Sequence, residues 1–488
     1  MSSLLIRNVR LASGASADIR IDGERFAALA PALDAPPGCT VEDGGGALAL
    51  PGLVEAHTHL DKTHWGLPWF RNEVGPRLVD RIEFERRWRA TSGHHAGRQS
   101  LALARAFLAA GTTRLRTHVD VDTEAGLKHL EGVLATREAL RGTLEMQIVA
   151  FPQSGVLARP GTAALLDAAL RAGADCLGGL DPCAIEGDRT AALDLLFGLA
   201  ERHGKRLDLH LHERAAMGAA SLGAILDRTA ALGMRARVAV SHGFCLGGID
   251  PPARDALLAR MAALEVALVT SAPPDIEVPP LMACRAAGVT VAGGNDGIRD
   301  TWTPYGRPDM LERAMLIGMR YNLRRDDELA VALDCVTGSA ARGCGFADYG
   351  LVPGARADLV LVQADTPAEA VAARPPRRLV VAAGRVVARD GSLLDRAPRG
   401  PAAGRAMAGM APASWCGARR TRAPPGLPGA PGRIARGAAQ RARRAIAGRA
   451  RCAARGGAGC RPPAPAGRAP KPDRCWNGGS FTSARSRP

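Results

Sequence analysis

One pattern constrains this chain more than any other. Between residues 51 and 296, short apolar runs alternate with helical stretches. The eight runs are PGLVEAHTH, TRLRTHVDV, LEMQIVAF, CLGGLD, KRLDLHLHE, RARVAVSHG, EVALVTS and GVTVAGGND. Before the second comes HAGRQSLALARAFLAAG, a helical run stopped at Gly111. Strand–helix alternation sustained over this length predicts an α/β fold built as a (β/α)8 TIM-type barrel. An open doubly wound sheet is the alternative, but no GxGxxG opens the first strand–helix turn.

In such a barrel the C-terminal strand ends form the active face. Those ends carry His57 and His59, His118 and Asp120, Gln153, Asp181, then Asp208, His210, His212 and Glu213, then His242, and finally Asn295 and Asp296. Six of the eleven histidines fall there. His57 and His59 share a strand face, roughly 6.6 Å apart along the chain, so both can turn towards one ion. Three imidazoles and a carboxylate suit one divalent ion, zinc or iron. The expected ligands are His57, His59, His210 and Asp296, with water in the open position and its pKa lowered towards neutrality. Glu213 is expected to move the proton, and His242 to hold or polarise the nucleophile. His212 is either a site residue or a support for His210. His118 and Asp120 are expected to be structural, and His94, His95, His129 and His203 solvated. Binuclear barrels of this type use a bridging lysine at the end of strand four. None of the four lysines lies at the end of CLGGLD, so one metal is expected.

Strand-like runs also occupy both flanks, LLIRNVRLA and SADIRIDGERFAAL on one side and ADLVLVQAD and RRLVVAAGRVVA on the other. Residues 1–50 and 350–395 are therefore expected to form a small β-sandwich, with the barrel over 51–349. The net charge of +16 belongs to the C-terminal stretch. Residues 401–488 hold eighteen Lys/Arg and one acid, leaving 46 Lys/Arg against 47 Asp/Glu in the remainder. The tail, 396–488, is poor in large apolar residues and is expected to be disordered, with at most a short basic helix over 434–450. A basic tail can bind nucleic acid, and a nucleic-acid-associated, non-enzymatic protein is the alternative reading. No aromatic residues are interleaved to stack bases, which makes that partner unlikely on the sequence. The abrupt Arg/Ala/Gly/Pro bias is also what out-of-frame translation of a GC-rich region yields, and the expectation is a tail without function. No apolar run is long enough to cross a membrane, no signal peptide opens the chain, and the scattered cysteines read as reduced, so a cytoplasmic protein is expected. A homo-oligomer is left open.

The order HTHLDK, RTHVDV, IVAFPQ, LHLHE, SHG and GGND resembles the amidohydrolase superfamily over about residues 4–395, and AFPQSG, RTHVD and NDGIRDTWTPYG look most like its cytosine deaminase branch. The resemblance implies metal-dependent hydrolytic deamination of an amino-substituted nitrogen heterocycle, with release of ammonia. It also implies that Gln153 reads the substrate amide, that Glu213 shuttles the proton, that His242 contacts the attacking water and that Trp302 lines the pocket. Departures are visible. Gly297 stands where the cytosine enzymes usually have a second acid, and Asn295 where a histidine is common. Asp181 is expected to supply the missing substrate contact from another side. Lys62 and His64 replace small polar residues and re-polarise the pocket, which admits a larger aminopyrimidine, pterin or triazine. Hydrolysis of a cyclic amide is the nearest alternative reaction.

Overall fold

A computed structural model of the chain describes residues 3–394, so the expectations for the basic tail lie outside the described residues. Five strands come first: β1 (Ser3–Arg10), β2 (Ser16–Asp22), β3 (Arg25–Ala30), β4 (Thr40–Asp43) and β5 (Leu48–Pro51). Eight more alternate with helices: β6 (Leu53–Thr58), β7 (Thr112–Asp120), β8 (Glu145–Phe151), β9 (Cys176–Leu180), β10 (Arg206–Leu211), β11 (Val238–His242), β12 (Ala267–Thr270) and β13 (Val291–Gly293). The last are β14 (Leu359–Val362), β15 (Arg377–Ala382), β16 (Arg385–Arg389) and β17 (Ser392–Leu393). The helices in order are α1 (Leu78–Thr91), α2 (Ala96–Ala109), α3 (Lys128–Ala139), α4 (Thr162–Ala172), α5 (Arg189–Arg202), α6 (Ala215–Ala231), α7 (Pro251–Ala263), α8 (Leu281–Ala286), α9 (Met310–Arg320), α10 (Asp326–Asp334), α11 (Gly338–Cys344) and α12 (Pro367–Ala373).

β6 to β13 pair in chain order, every neighbour parallel, as a TIM-type barrel requires. Between β13 and β6 the ring is closed mostly by side chains. Thr58 bridges Asp296, and the Asp296 amide donates to the His57 carbonyl at 2.8 Å. The Glu55 carboxylate accepts from the His57 amide at 2.9 Å and from the Asn295 side-chain amide at 2.6 Å. Arg313 from α9 then holds the Asn295 oxygen at 3.0 Å. Asn295, where a histidine is common, is thus part of the seam that fixes Asp296 in place. The α2–β7 turn shows how local sequence sets the fold. Gly111 has φ +93°, and a Cβ there would stand 2.7 Å from the Val360 side chain. Only glycine allows both the turn and the approach.

The flanking strands form a nine-stranded sheet in the order β17-β16-β15-β14-β5-β1-β2-β3, with β4 on the other edge of β1. One residue pair, Arg10 with Leu48, joins its two halves. Both halves contribute to one apolar core, with Ile6, Ile19, Ile21 and Phe26 from one and Leu359, Leu361, Leu379 and Val381 from the other. Both flanks of the chain thus contribute strands to one sheet and residues to one core. Each fully buried Leu, Ile or Val there contributes roughly 1.5–3 kcal/mol.

α1 is an insertion between β6 and the barrel's own α2, and no strand–helix pattern announces it. Its apolar residues do not keep to one stripe. What seats it is polar: Glu85 and Arg89 are buried and paired with residues at the barrel mouth.

Candidate active site

The strand-end histidines converge. Ring centroids of His57 lie 5.3 Å from His59, 4.7 Å from His210 and 5.2 Å from His242. Asp296 Oδ1 lies 3.3 Å from His59 Nε2 and 3.7 Å from His57 Nε2. His57, His59 and His210 bring their ligand atoms together with His118, and Asp296 does so with His57 and His242, so the two groups share His57. Ring nitrogens in both groups are also vacant. His57 Nε2, His59 Nδ1 and both ring nitrogens of His210 and His242 are buried with no hydrogen-bond partner among the described residues. Burial pushes the His59 pKa down to about 4, assisted by the Lys62 charge. Burial and the neighbouring imidazoles hold His210 and His242 well below the ordinary range. Neutral imidazoles without partners, facing one carboxylate, are a donor set that fits a divalent transition ion.

Two site residues sit in unusual backbone conformations at strand ends. His242 has φ +72° and Asp296 φ +63°. A non-glycine residue in this region costs about 1–3 kcal/mol and tends to persist where function needs it. Here the twist turns both side chains towards the cluster.

Beneath the cluster lies a buried relay. His57 Nδ1 meets Ser241 Oγ at 2.8 Å, Ser241 Oγ donates to Asp208 Oδ1 at 2.7 Å, and Arg116 donates to Asp208 Oδ2 at 2.8 Å. The relay fixes the His57 ring with Nε2 directed at Asp296. His118, expected to be structural, stands fully buried, 4.1 Å from the His57 ring and 4.7 Å from His210, and its Nε2 lies 3.5 Å from Asp208 Oδ1 on β10, a contact between strand two and strand five. Its nitrogens are close enough to those of His57, His59 and His210 to share an ion.

On the strand-five side the carboxylates of Glu213 and Asp181 both hold partners within the protein. Glu213, expected to shuttle protons, has both carboxylate oxygens occupied. Oε1 accepts from the amides of Cys183 and Ala184 at 2.7 and 2.8 Å, and Oε2 accepts from Ser221. It anchors the loop after β9. Asp181, expected to contact substrate, gives Oδ1 to the His212 and Glu213 amides at 2.6 and 3.1 Å and Oδ2 to His212 Nδ1 at 2.8 Å. Asp181 therefore orients His212, whose ring stacks on His242 at 4.4 Å with Nε2 unclaimed by Asp181. Burial works to lower the His212 pKa, and the Asp181 carboxylate more than reverses it.

Comparison with known proteins gives the same answer as the geometry. The profile of the amidohydrolase family matches residues 40–388. The chain belongs to the amidohydrolase family. N-isopropylammelide isopropyl amidohydrolase of Pseudomonas sp. (strain ADP) is 30% identical over 405 residues, covering 79% of this chain and 97% of that one. The crystal structure of N-isopropylammelide isopropylaminohydrolase from Burkholderia multivorans is 70% identical, covers 81% of this chain and 100% of that chain, and superposes with a TM-score of 0.79. That of 5-methylcytosine deaminase from Klebsiella pneumoniae is 26% identical, covers 80% and 99%, and gives 0.71. This amidohydrolase is a hydrolytic enzyme acting on C–N bonds.

The other wall of the amidohydrolase site is built from loops. Lys62 Nζ donates to Gln153 Oε1 at 2.6 Å and lies 3.4 Å from both Glu85 and Asp120. Burial alone would lower its pKa, but Asp120, Glu85 and Asp61 more than offset it and keep the ammonium charged. Trp302 lies 5.3 Å from that ammonium and donates its indole N–H to Glu85 at 2.9 Å. Gly297 is explained by Asp300. A Cβ at Gly297 would fall 2.2 Å from Asp300 Oδ2, so the carboxylate three residues later takes up the room of the missing acid. Burial raises the Asp300 pKa to about 7. His129, expected to be solvated, instead pairs its Nδ1 with the buried Asp61 at 2.8 Å. Likewise His203 pairs with Asp167 at 2.7 Å and His94 bonds the Thr63 carbonyl at 3.1 Å, whereas His95 is exposed as expected and caps α2. Sequence reasoning missed Glu85, which carries no motif, and assigned no role to Asp300 although it lies within NDGIRDTWTPYG. It noticed Lys62 only as an oddity. No helix among the described residues is long and apolar enough to cross a membrane.

Proposed function

We propose that this amidohydrolase removes the alkylamine from N-isopropylammelide, a 1,3,5-triazine bearing two ring oxygens and an isopropylamino group. The bond between the ring carbon and the exocyclic amine nitrogen breaks, a bond from that carbon to the water oxygen forms, and the amine departs with a proton from that water. The observation that carries this reading is the 70% identity over the whole of the Burkholderia multivorans enzyme. The cytosine-like, ammonia-releasing reaction is the second reading, favoured by the likeness to 5-methylcytosine deaminase at 26% identity.

His57, His59, His210 and Asp296 would hold one zinc or iron ion. Bound there, the ion supplies Lewis acidity and lowers the pKa of water towards neutrality. His212, oriented by Asp181, carries the proton from the attacking water to the leaving nitrogen. His242 holds the water on the strand-six side. Gln153, its oxygen taken by Lys62, offers its amide N–H groups to the ring edge. The Lys62 ammonium balances negative charge on the ring oxygens, and the Trp302 ring covers one face. Glu213 supports the strand-four loop.

Purified full-length protein, loaded with Zn²⁺ or Fe²⁺, should release isopropylamine from N-isopropylammelide faster than ammonia from cytosine or pterin. Chromatography of the amine and the ring product together reads this. Faster turnover of cytosine would overturn the triazine assignment in favour of the second reading.

A further inference from the structure

The helix inserted after the first barrel strand sends one carboxylate into the site wall. Glu85 of α1 is fully buried. Its Oε2 accepts from the Trp302 indole at 2.9 Å and lies 3.4 Å from Lys62 Nζ, and its Oε1 accepts from Thr301 Oγ1 at 3.4 Å. These partners belong to two loops far apart in sequence, one after β6 and one after β13. The His64 amide donates to the Arg299 carbonyl at 2.6 Å and Thr63 Oγ1 to the Ile298 carbonyl at 2.7 Å, which ties the two backbones; the Lys62 and Trp302 side chains are linked by Glu85. Lys62 has three protons and three acceptors, Gln153, Asp120 and Glu85, so its position is fully determined only when α1 is seated. We propose that Glu85 is a positioning residue for ring recognition: it fixes Lys62 and the Trp302 plane together, so that the docking of α1 assembles the surface that reads the heterocycle. This rests on the assignment of Lys62, Gln153 and Trp302 to the ring.

A helix carboxylate with a purely structural task would pair with the scaffold. Arg89, one turn further along α1, does so, contacting Asp120 at 3.0 Å and Asp122 at 3.4 Å. Glu85 instead meets the two groups nearest the reacting ring. Each bond it makes to a charged or polar partner also orients that partner.

The test uses metal-loaded full-length protein and the variants Glu85→Ala, Glu85→Gln, Lys62→Met and Lys62→Met/Glu85→Ala. Glu85→Ala should raise KM by about ten- to a hundredfold, the range for a hydrogen bond to a charged group, with kcat changed far less. Glu85→Gln keeps an acceptor for the indole and loses the charge facing Lys62, so a smaller rise is expected, about three- to tenfold. Metal content should stay at one ion per chain in all four. The double variant should lose less than the product of the two single effects, because Glu85 acts partly through Lys62. Calorimetric binding of the trihydroxytriazine product, a cytosine analogue and a pterin, measured without turnover, should weaken in parallel with KM for whichever ring binds. If the wild type releases no alkylamine, the triazine assignment falls, while the binding series still tests Glu85. Wild-type KM and ring affinity in folded Glu85→Gln or Glu85→Ala, or fully multiplicative losses in the double variant, would overturn the inference.

Discussion

The two walls of the active site are constructed in opposite ways. The metal wall stands on strands. His57, His118, His210 and His242 lie within strands, and His59 and Asp296 come within three residues of a strand end. Their positions are set by the backbone pairing of the barrel, and their directions by the period of two and by left-handed turns. The ring wall stands on loops and on an inserted helix. Lys62, Glu85, Gln153, Asp300 and Trp302 come from four separate stretches, held by charge and hydrogen bonds among side chains. A site so divided can keep its chemistry while its ring specificity changes, because the loops carry the second task alone.

Substitutions separate the walls most sharply where the effect is largest. His210→Ala or Asp296→Ala should remove the ion and lower turnover by about 10³-fold or more, the size of a Lewis acid's contribution. Metal analysis of the purified variants checks the cause. Lys62→Met should leave the metal in place and act mainly on KM. Next in size is the proton carrier. His212→Asn keeps a donor to Asp181 but no titrating nitrogen, and kcat should fall about 10²–10⁴-fold. Glu213→Gln, which preserves most contacts to the strand-four loop, should cost under about tenfold. A larger loss in Glu213→Gln than in His212→Asn would return the proton to the carboxylate.

The same division explains what the sequence made legible. The barrel was visible because strand–helix alternation is a property of the whole chain, and all eight expected runs hold a barrel strand. The metal wall was visible because strand ends in a barrel share one face, so His57, His59, His210, His242 and Asp296 could be placed without contacts. His118 occupies the same kind of position, and its contact with Asp208 at 3.5 Å fits the structural expectation while its ring stands beside His57. Roles that depend on side-chain direction were not visible. Glu213 and His212 are adjacent, and the contacts that orient the His212 ring come from Asp181, just past a neighbouring strand. α1 and Glu85 were hidden because nothing periodic marks a helix held by buried ion pairs.

The relay beneath the metal gives an intermediate effect. Asp208→Asn and Ser241→Ala free the His57 ring without removing a ligand, and metal affinity should fall about 10–100-fold, read by competition with a chromophoric chelator. If Asp208→Asn fails to fold because Arg116 loses its partner, Ser241→Ala carries the test.

The smallest effects are on stability, and in the metal-free protein the two walls should respond to pH with opposite sign. Burial lowers His118 to about 3 and His59 to about 4, from an ordinary 6.5. The folded chain keeps these rings neutral while the unfolded chain takes up protons, so their contribution is complete above about pH 6.5 and declines as pH falls towards 4. Asp300 runs the other way. Its pKa is raised by burial to about 7 from an ordinary 3.8, so its contribution is complete below about pH 4 and is lost as pH rises through 7. Thermal melts of the metal-free protein between pH 4.5 and 8 resolve the two limbs. His118→Asn should gain on the wild type as pH falls from 6.5, and Asp300→Asn should gain on it as pH rises from 4.5 to about 7 and then level off. If Asp300→Asn instead gains nothing over that range, the carboxylate is ionised at rest, and the Lys62 ammonium faces four acids rather than three.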